Sequence, residues 1–463
     1  MKTLRAASDA MREAASRAAL SSPARLAVGA FAIVVLLFTG LLSLPLATAS
    51  GKSAPFADAL FTATSAVCVT GLTTVDTGLY WSDFGRVVIL VGIKVGGLGI
   101  MTLASMLGIL VSRRLGLSQR MLAAGEARAT GLGDVRSLIR TIVVVSTTVE
   151  ALIALMLFPR FVMDGLGVGT AAWHAVFYAV SAFNNAGFVP NEGGLVEFAG
   201  DPWVAVPIAL GVLVGALGFP VYLNIVRSWK RPGSWYLHTK ITLIMVGTLS
   251  VISAAGLALF EWNNPDSLGG LPTGTKILTV IFGSVNQRSG GFAAISHEGF
   301  YEHTWLLEDV LMFIGGGSGS TAGGIRVTTL AVLLLAIWAE ARGRRDMEAF
   351  GKRIGTAALR TAVAVTLLAL FFVIVGTGVI LAQTAHLGWS LDQVLFQVVS
   401  GYATCGLSVL SAEQTAMMPE SVKYTLSLLM FAGRVGSVTL AAALALNKQR
   451  RVIRYPSERV IIG

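Results

Sequence analysis

Apolar residues run through this chain in nearly charge-free blocks of roughly 20, the length of helix that crosses about 30 Å of hydrocarbon. Seven such blocks lie at 24–46, 82–111, 138–160, 202–226, 240–261, 359–382 and 423–446. An eighth is broken: apolar residues 311–314 give way to ten small ones, GGGSGSTAGG at 315–324, before 325–338 resumes. Shorter apolar segments at 54–67, 172–183, 274–285 and 391–401 sit between paired blocks and are too short to cross. The pattern predicts an all-α polytopic membrane protein with eight membrane spans. Span, short re-entrant helix, loop and span recur four times.

The ends of the short helices repeat one another. Residues 61–72 (FTATSAVCVTGL), 177–188 (FYAVSAFNNAGF), 281–292 (IFGSVNQRSGGF) and 396–407 (FQVVSGYATCGL) align without gaps. Each starts apolar, carries a glycine ten positions on, and follows it with Leu or Phe. Gly71, Gly187, Gly291 and Gly406 are 116, 104 and 115 residues apart, an internal repeat of the kind that builds transport proteins. The chain divides into an N-terminal segment 1–23, repeat one at 24–111, repeat two at 137–227, repeat three at 239–339, repeat four at 357–446, and a tail at 447–463. The expected arrangement is pseudo-fourfold around one pore. Gly215, Gly218 and Pro220 predict a kink in the block 202–226, since proline removes a backbone donor.

Charge sets the orientation. The 463 residues are 54% hydrophobic and 13% charged, against about 25% charged in soluble proteins, which excludes a soluble domain. The net charge is +10. Its basic residues crowd the N-terminus and the loops near 113–140, 227–240, 342–360 and 448–459. These are alternate loops, so the positive-inside rule places them and both termini in the cytoplasm and removes the nucleic-acid reading. Residues 1–23 read as a surface-lying helix or a partly ordered tail. The first block is long and follows a basic segment, so it is expected to stay as a span. The five histidines form no metal-ligand spacing, and Cys68 and Cys405, in the first and fourth loops, are expected as small reduced residues. No nucleophile–base pair lies within the spans, so no enzyme is expected. No nucleotide motif is present either, so nucleotide control requires a separate subunit.

Four glycine loops around one axis suit a dehydrated monovalent cation, which rings of backbone carbonyls can ligate without trapping it. The expected potassium-binding filter comprises Val69, Thr70 and Gly71; Asn185, Ala186 and Gly187; Ser289, Gly290 and Gly291; and Thr404, Cys405 and Gly406. Leu72, Phe188, Phe292 and Leu407 are expected to buttress it. The short helices are expected to point their partly negative C-terminal ends at the cavity. Only one glycine is common to all four loops, which predicts a short filter. Arg288 is expected to turn from the axis and support its loop through carbonyls or an acidic partner. Asp76, Asp164, Glu192, Glu197, Glu302 and Glu413 either concentrate cations at the mouth or form ordinary solvated surface.

The broken eighth block predicts a gate. Were 315–324 outside the membrane, the helix left to return would be only about 22 Å long, so the segment is expected inside, where broken backbone survives only within protein or beside water. The gate candidates are Gly315, Gly316, Gly317, Ser318, Gly319, Ser320, Thr321, Ala322, Gly323 and Gly324. Arg434, in the middle of the last span, is expected to face the interior and to bond loop carbonyls beneath the filter. Arg326 is a candidate for the cytoplasmic vestibule. Lys94 either snorkels or faces the cavity.

The chain from about residue 23 to its end resembles the Trk/Ktr/HKT superfamily of potassium transporters, and most closely the KtrB type, the membrane subunit of bacterial Ktr systems. The resemblance is carried by LLSLP at 41–45, TSAVCVTGL at 64–72, GGLGIMT at 96–102, SAFNNAGF at 181–188, ALGFPV at 216–221, GSTAGGIR at 319–326, GRVGSVTL at 433–440 and YPSERVIIG at 455–463. It implies potassium uptake with sodium as stimulator, one pore per subunit, and a homodimer with Gly463 at its interface. It implies the bacterial inner membrane, and a cytoplasmic ring of KtrA-like subunits carrying ATP, ADP or NAD; this chain itself is expected to bind no cofactor. The same resemblance assigns the filter to the four glycines and the gate to 315–324 with Arg434. The third loop departs from the family pattern at Asn286, Gln287 and Gly290, and Lys94 stands where a neutral Gln is common. The alternative is a monovalent cation transporter with poor potassium/sodium discrimination. Within the superfamily, serine in place of the first glycine goes with sodium permeation, and Gly71 is retained here.

Overall fold

The computed structural model describes residues 23–113 and 135–446. The N-terminal segment, the loop between the first two repeats and the tail with Gly463 lie outside the described residues. Helices α1 (Pro23–Leu42), α2 (Phe56–Val67) and α3 (Asp83–Arg113) form the first unit. The second contains α4 (Val135–Met163), α5 (Val168–Asn184), α6 (Pro202–Leu217) and α7 (Phe219–Ser228). The third contains α8 (Leu237–Glu261), α9 (Thr273–Asn286), α10 (Glu302–Ile314) and α11 (Val327–Ala341). A two-stranded hairpin, β1 (Met347–Ala349) and β2 (Lys352–Ile354), pairs Glu348 with Arg353 and leads to the fourth unit. That unit contains α12 (Thr356–Thr384), α13 (Leu391–Tyr402) and α14 (Glu420–Leu446).

Four described helices, α3, α4, α8 and α12, are long and apolar enough to cross a membrane, and the bent pair α6–α7 makes a fifth. These counts are of the described residues. The broken span is split into α10 and α11.

The kinked span is sharply broken. α6 and α7 meet at 96° across Gly218, whose φ is +96°, and Pro220 occupies the first turn of α7, where no donor is needed. The short helices start on defined signals. Pro55 and Pro272 precede α2 and α9. A capping box opens α13: the Ser390 hydroxyl accepts from the Gln393 amide, and the Gln393 side chain accepts from the Ser390 amide.

Packing follows a closed order. The second helix of each unit lies against the short helix of the next: α3 on α5, α6 on α9, α10 on α13, and α14 back on α2. Within a unit, the second helix also meets the end of its own short helix at a glycine. A Cβ at Gly96, Gly215 or Gly433 would overlap the carbonyl oxygen of Val67, Phe183 or Tyr402, the same position in three of the aligned copies. These glycines let a backbone carbonyl lie directly on a helix surface. Gly96→Ala and Gly433→Ala are each expected to destabilise the fold by about 1–3 kcal/mol, the usual cost of overpacking. Thermal unfolding in detergent measures this; unchanged midpoints would contradict it.

Candidate functional site

The four short helices deliver their loops to one place. Three of them end in the same hydrogen-bonded turn. The amides of Thr70, Ala186 and Cys405 reach back to the carbonyls of Ser65, Ser181 and Ser400 at 2.7, 2.8 and 2.9 Å. The residue before each amide is left-handed: Val69 at φ +55°, Asn185 at +58° and Thr404 at +48°. This is the Schellman ending, which normally puts glycine at that position. A β-branched residue there is strained, and Val69 and Thr404 are both β-branched.

The loop glycines follow with φ of +94° at Gly71, +69° at Gly187, +71° at Gly291 and +100° at Gly406. Each lies against the backbone of the next loop. A Cβ on Gly71 would overlap the Ala186 carbonyl; one on Gly187 would stand 3.0 Å from Gly291 backbone atoms; one on Gly291 would overlap the Cys405 carbonyl; and one on Gly406 would overlap that of Thr70. The circuit closes on itself. Leu72, Phe188, Phe292 and Leu407 are all buried around it.

A row of serines holds three of these loops from behind. Ser65 accepts from the Gly71 amide at 3.1 Å. Ser181 donates to the Phe188 carbonyl at 2.8 Å. Ser400 accepts from the Gly406 amide at 3.1 Å and donates to the Leu407 carbonyl at 2.6 Å. The third copy has Val285 there, and its loop is tied outward instead. Gln287 accepts from Ser253 and donates to the fully buried Glu308, both at 2.5 Å, and Glu308 meets His297 at 3.0 Å. Arg288 reaches α8, where its Nη2 donates to the Ser250 hydroxyl at 2.9 Å rather than to a carbonyl or an acid. The serine row was visible in the aligned copies as the residue fifth from the start.

The small-residue segment is buried except at Ser318, which is exposed, and Gly319, which is half-buried, and it joins three units. The Gly317 amide donates to the Ala216 carbonyl at 2.8 Å, and the Gly323 amide to Ser289 Oγ at 3.1 Å. A Cβ on Gly323 would overlap the Ala403 carbonyl. Thr321 Oγ1 donates to the Phe183 carbonyl at 3.1 Å, and the Thr321 carbonyl accepts from Arg434 Nη1 at 2.6 Å. Arg434 is 1% exposed; its Nε and Nη2 have no protein partner among the described residues. Arg326 folds back onto the same segment, donating to the Ala322 carbonyl.

Lys94 neither snorkels nor faces the circuit. Its ammonium meets both oxygens of Glu150, at 2.7 and 2.6 Å, and Ser146 Oγ at 3.1 Å. Among the outer acids, Asp76 caps a one-turn helix through the amides of Gly78 and Leu79, and Asp164 pairs with Arg160. Glu192, Glu197, Glu302 and Glu413 are exposed. Cys68 and Cys405 are both free and buried.

The family described as TrkH, cation transport protein, matches residues 30–454. The chain belongs to this cation transport family. Among its members, the Ktr system potassium uptake protein B of Vibrio alginolyticus is 35% identical over 93% of this chain and 94% of its own length. The protein of the same description from Bacillus subtilis is 35% identical over 95% and 96%. The crystal structure of the potassium transporter TrkH from Vibrio parahaemolyticus shares the fold, with a TM-score of 0.67 at 16% identity, over 89% of this chain and 84% of that one. This member of the family is therefore a membrane transporter and not an enzyme. The glycine circuit and the segment beneath it lie within the matched residues.

Proposed function

We propose that this chain takes up potassium across the bacterial inner membrane through a filter made by its four glycine loops. The observation that carries the reading is the closed circuit, in which each loop glycine abuts the backbone of the next loop. Two further points support it: family membership, and the curated relatives named for potassium uptake. In this reading the protein has eight spans in four pseudo-fourfold repeats, with both termini cytoplasmic. In three loops a left-handed residue and then a left-handed glycine, and in the third copy the left-handed Gly291 alone, turn carbonyls toward the axis. Val69 to Gly71, Asn185 to Gly187, Ser289 to Gly291 and Thr404 to Gly406 then replace the hydration shell of the ion. The segment 315–324 is the gate, held across the ion path by Arg434. Flow is driven by the membrane potential.

The functional unit is a homodimer over a ring of KtrA-like subunits that carry the adenine nucleotide, and sodium stimulates uptake. The relatives named as part of a Ktr system support the partner. Ion flux from proteoliposomes under opposed potassium and sodium gradients tests the reading. Potassium is expected to move and sodium to be strongly disfavoured. Equal movement of both ions would replace it with a monovalent cation transporter that discriminates poorly.

A further inference from the structure

We infer that the intramembrane pair Lys94–Glu150 is a positioning device for the second filter loop, acting through Asn184 and setting ion selectivity. The inference rests on the filter reading given above. Lys94 is on α3 of the first unit and Glu150 on α4 of the second, so the pair crosses the seam between two units. Glu150 is 6% exposed. One of its oxygens, Oε1, accepts from Lys94 at 2.7 Å and also from Asn184 Nδ2 at 3.1 Å. Asn184 is completely buried and ends α5; the next residue, Asn185, is the left-handed one that starts the loop. The same Nδ2 donates to the Val180 carbonyl at 2.8 Å, which fixes the amide in one rotamer.

Two neighbours show that this arrangement is built rather than incidental. Gly97 on α3 has no side chain where Asn184 lies: a Cβ there would overlap Asn184 Oδ1. On the other side of Asn184, the Phe183 carbonyl accepts from Thr321 of the small-residue segment. The end of α5 is therefore held between the ion pair and the proposed gate. A charged pair within a membrane is costly and stays only where both partners are satisfied. Losing one partner leaves a lone charge that must find another, and Asn184 is the adjacent group able to move. The first loop has no polar counterpart at this position, where Cys68 stands, and the third uses Arg288 on Ser250. In the first unit a charge from another unit, Lys423, reaches Asp58 at the start of the short helix and not its end; at the second loop the charge from another unit acts on the residue next to the left-handed turn.

The test is the potassium/sodium permeability ratio of full-length protein in proteoliposomes. A ratio does not depend on how many molecules fold, so general destabilisation does not move it. Lys94→Gln and Glu150→Gln are each expected to lower it by about tenfold, the scale of losing one charge-assisted hydrogen bond. The double variant is expected to return to within about twofold of wild type, because two amides restore a neutral hydrogen-bonded link to Asn184. Asn184→Ala keeps the ion pair and cuts the link. It is expected to lower the ratio as the single variants do, and it carries the test if those do not accumulate. A wild-type ratio in Asn184→Ala would overturn the inference, as would a double variant no better than the singles. Gly71→Ser, measured alongside, separates the two levels. If it changes the ratio while the brace variants do not, the brace fails and the filter stands; if it too leaves the ratio unchanged, the filter reading itself fails.

Discussion

Replacing Gly71 by serine is expected to reduce the preference for potassium over sodium by about tenfold or more. Two physical effects act together. A residue with a Cβ held at φ +94° costs about 1–2 kcal/mol, and each 1.4 kcal/mol is about a factor of ten in an equilibrium. The new Cβ would also overlap the Ala186 carbonyl oxygen, an atom of the proposed filter in the next loop, so in that reading the strain is relieved by moving a ligand. Gly406→Ser is expected to act alike, because its Cβ would overlap the Thr70 carbonyl. Reversal potentials under bi-ionic conditions measure the ratio. A wild-type ratio in both variants would remove these carbonyls from the filter.

Removing the Arg434 side chain is expected to raise potassium flux. Its hydrogen bond to the Thr321 carbonyl, at 2.6 Å, is charge-assisted and buried, a class worth about 1.5–3 kcal/mol. If that bond holds the segment closed, its loss moves the open–closed equilibrium by about 10–100-fold. In the proposed reading, the guanidinium nitrogens without a protein partner among the described residues leave positive charge beneath the filter, and alanine removes that barrier as well. Arg434→Ala is therefore expected to conduct without its regulatory subunits, whereas Arg434→Lys, which keeps the charge but not the planar fork, is expected to stay largely closed. Tracer uptake by cells lacking the regulatory partner distinguishes them. Unchanged flux in Arg434→Ala would exclude this arginine from the gate.

Much of the helical architecture can be read from hydrophobic blocks alone, because a bilayer leaves the chain few choices: every backbone group must be satisfied within the span. The break at Gly218 and the largely buried course of 315–324 follow from the same constraint, since small residues and proline mark where the constraint is met by tertiary contacts. What the sequence hides is pairing between distant residues. Lys94 is conspicuous as a charge in an apolar block, but Glu150 lies in another unit, and no periodicity joins them. Arg288 presents the converse case. Its direction follows from the cost of a cation on the axis, while its partner, Ser250, is one hydroxyl among several on α8. The outward ties of Gln287 to Ser253 and Glu308 likewise depend on how α8, α9 and α10 pack.

The glycine circuit is written in one polypeptide, and this has a consequence in mass action. A ring assembled from four separate chains dissolves when they are diluted in lipid, because its stability depends on protomer concentration. Here the four loops are covalently joined, so their local concentration is fixed by the intervening chain. Dilution into excess lipid can separate one copy of the chain from another, yet it leaves the ring intact. Loss of transport on dilution would therefore report on partners, and never on the ring.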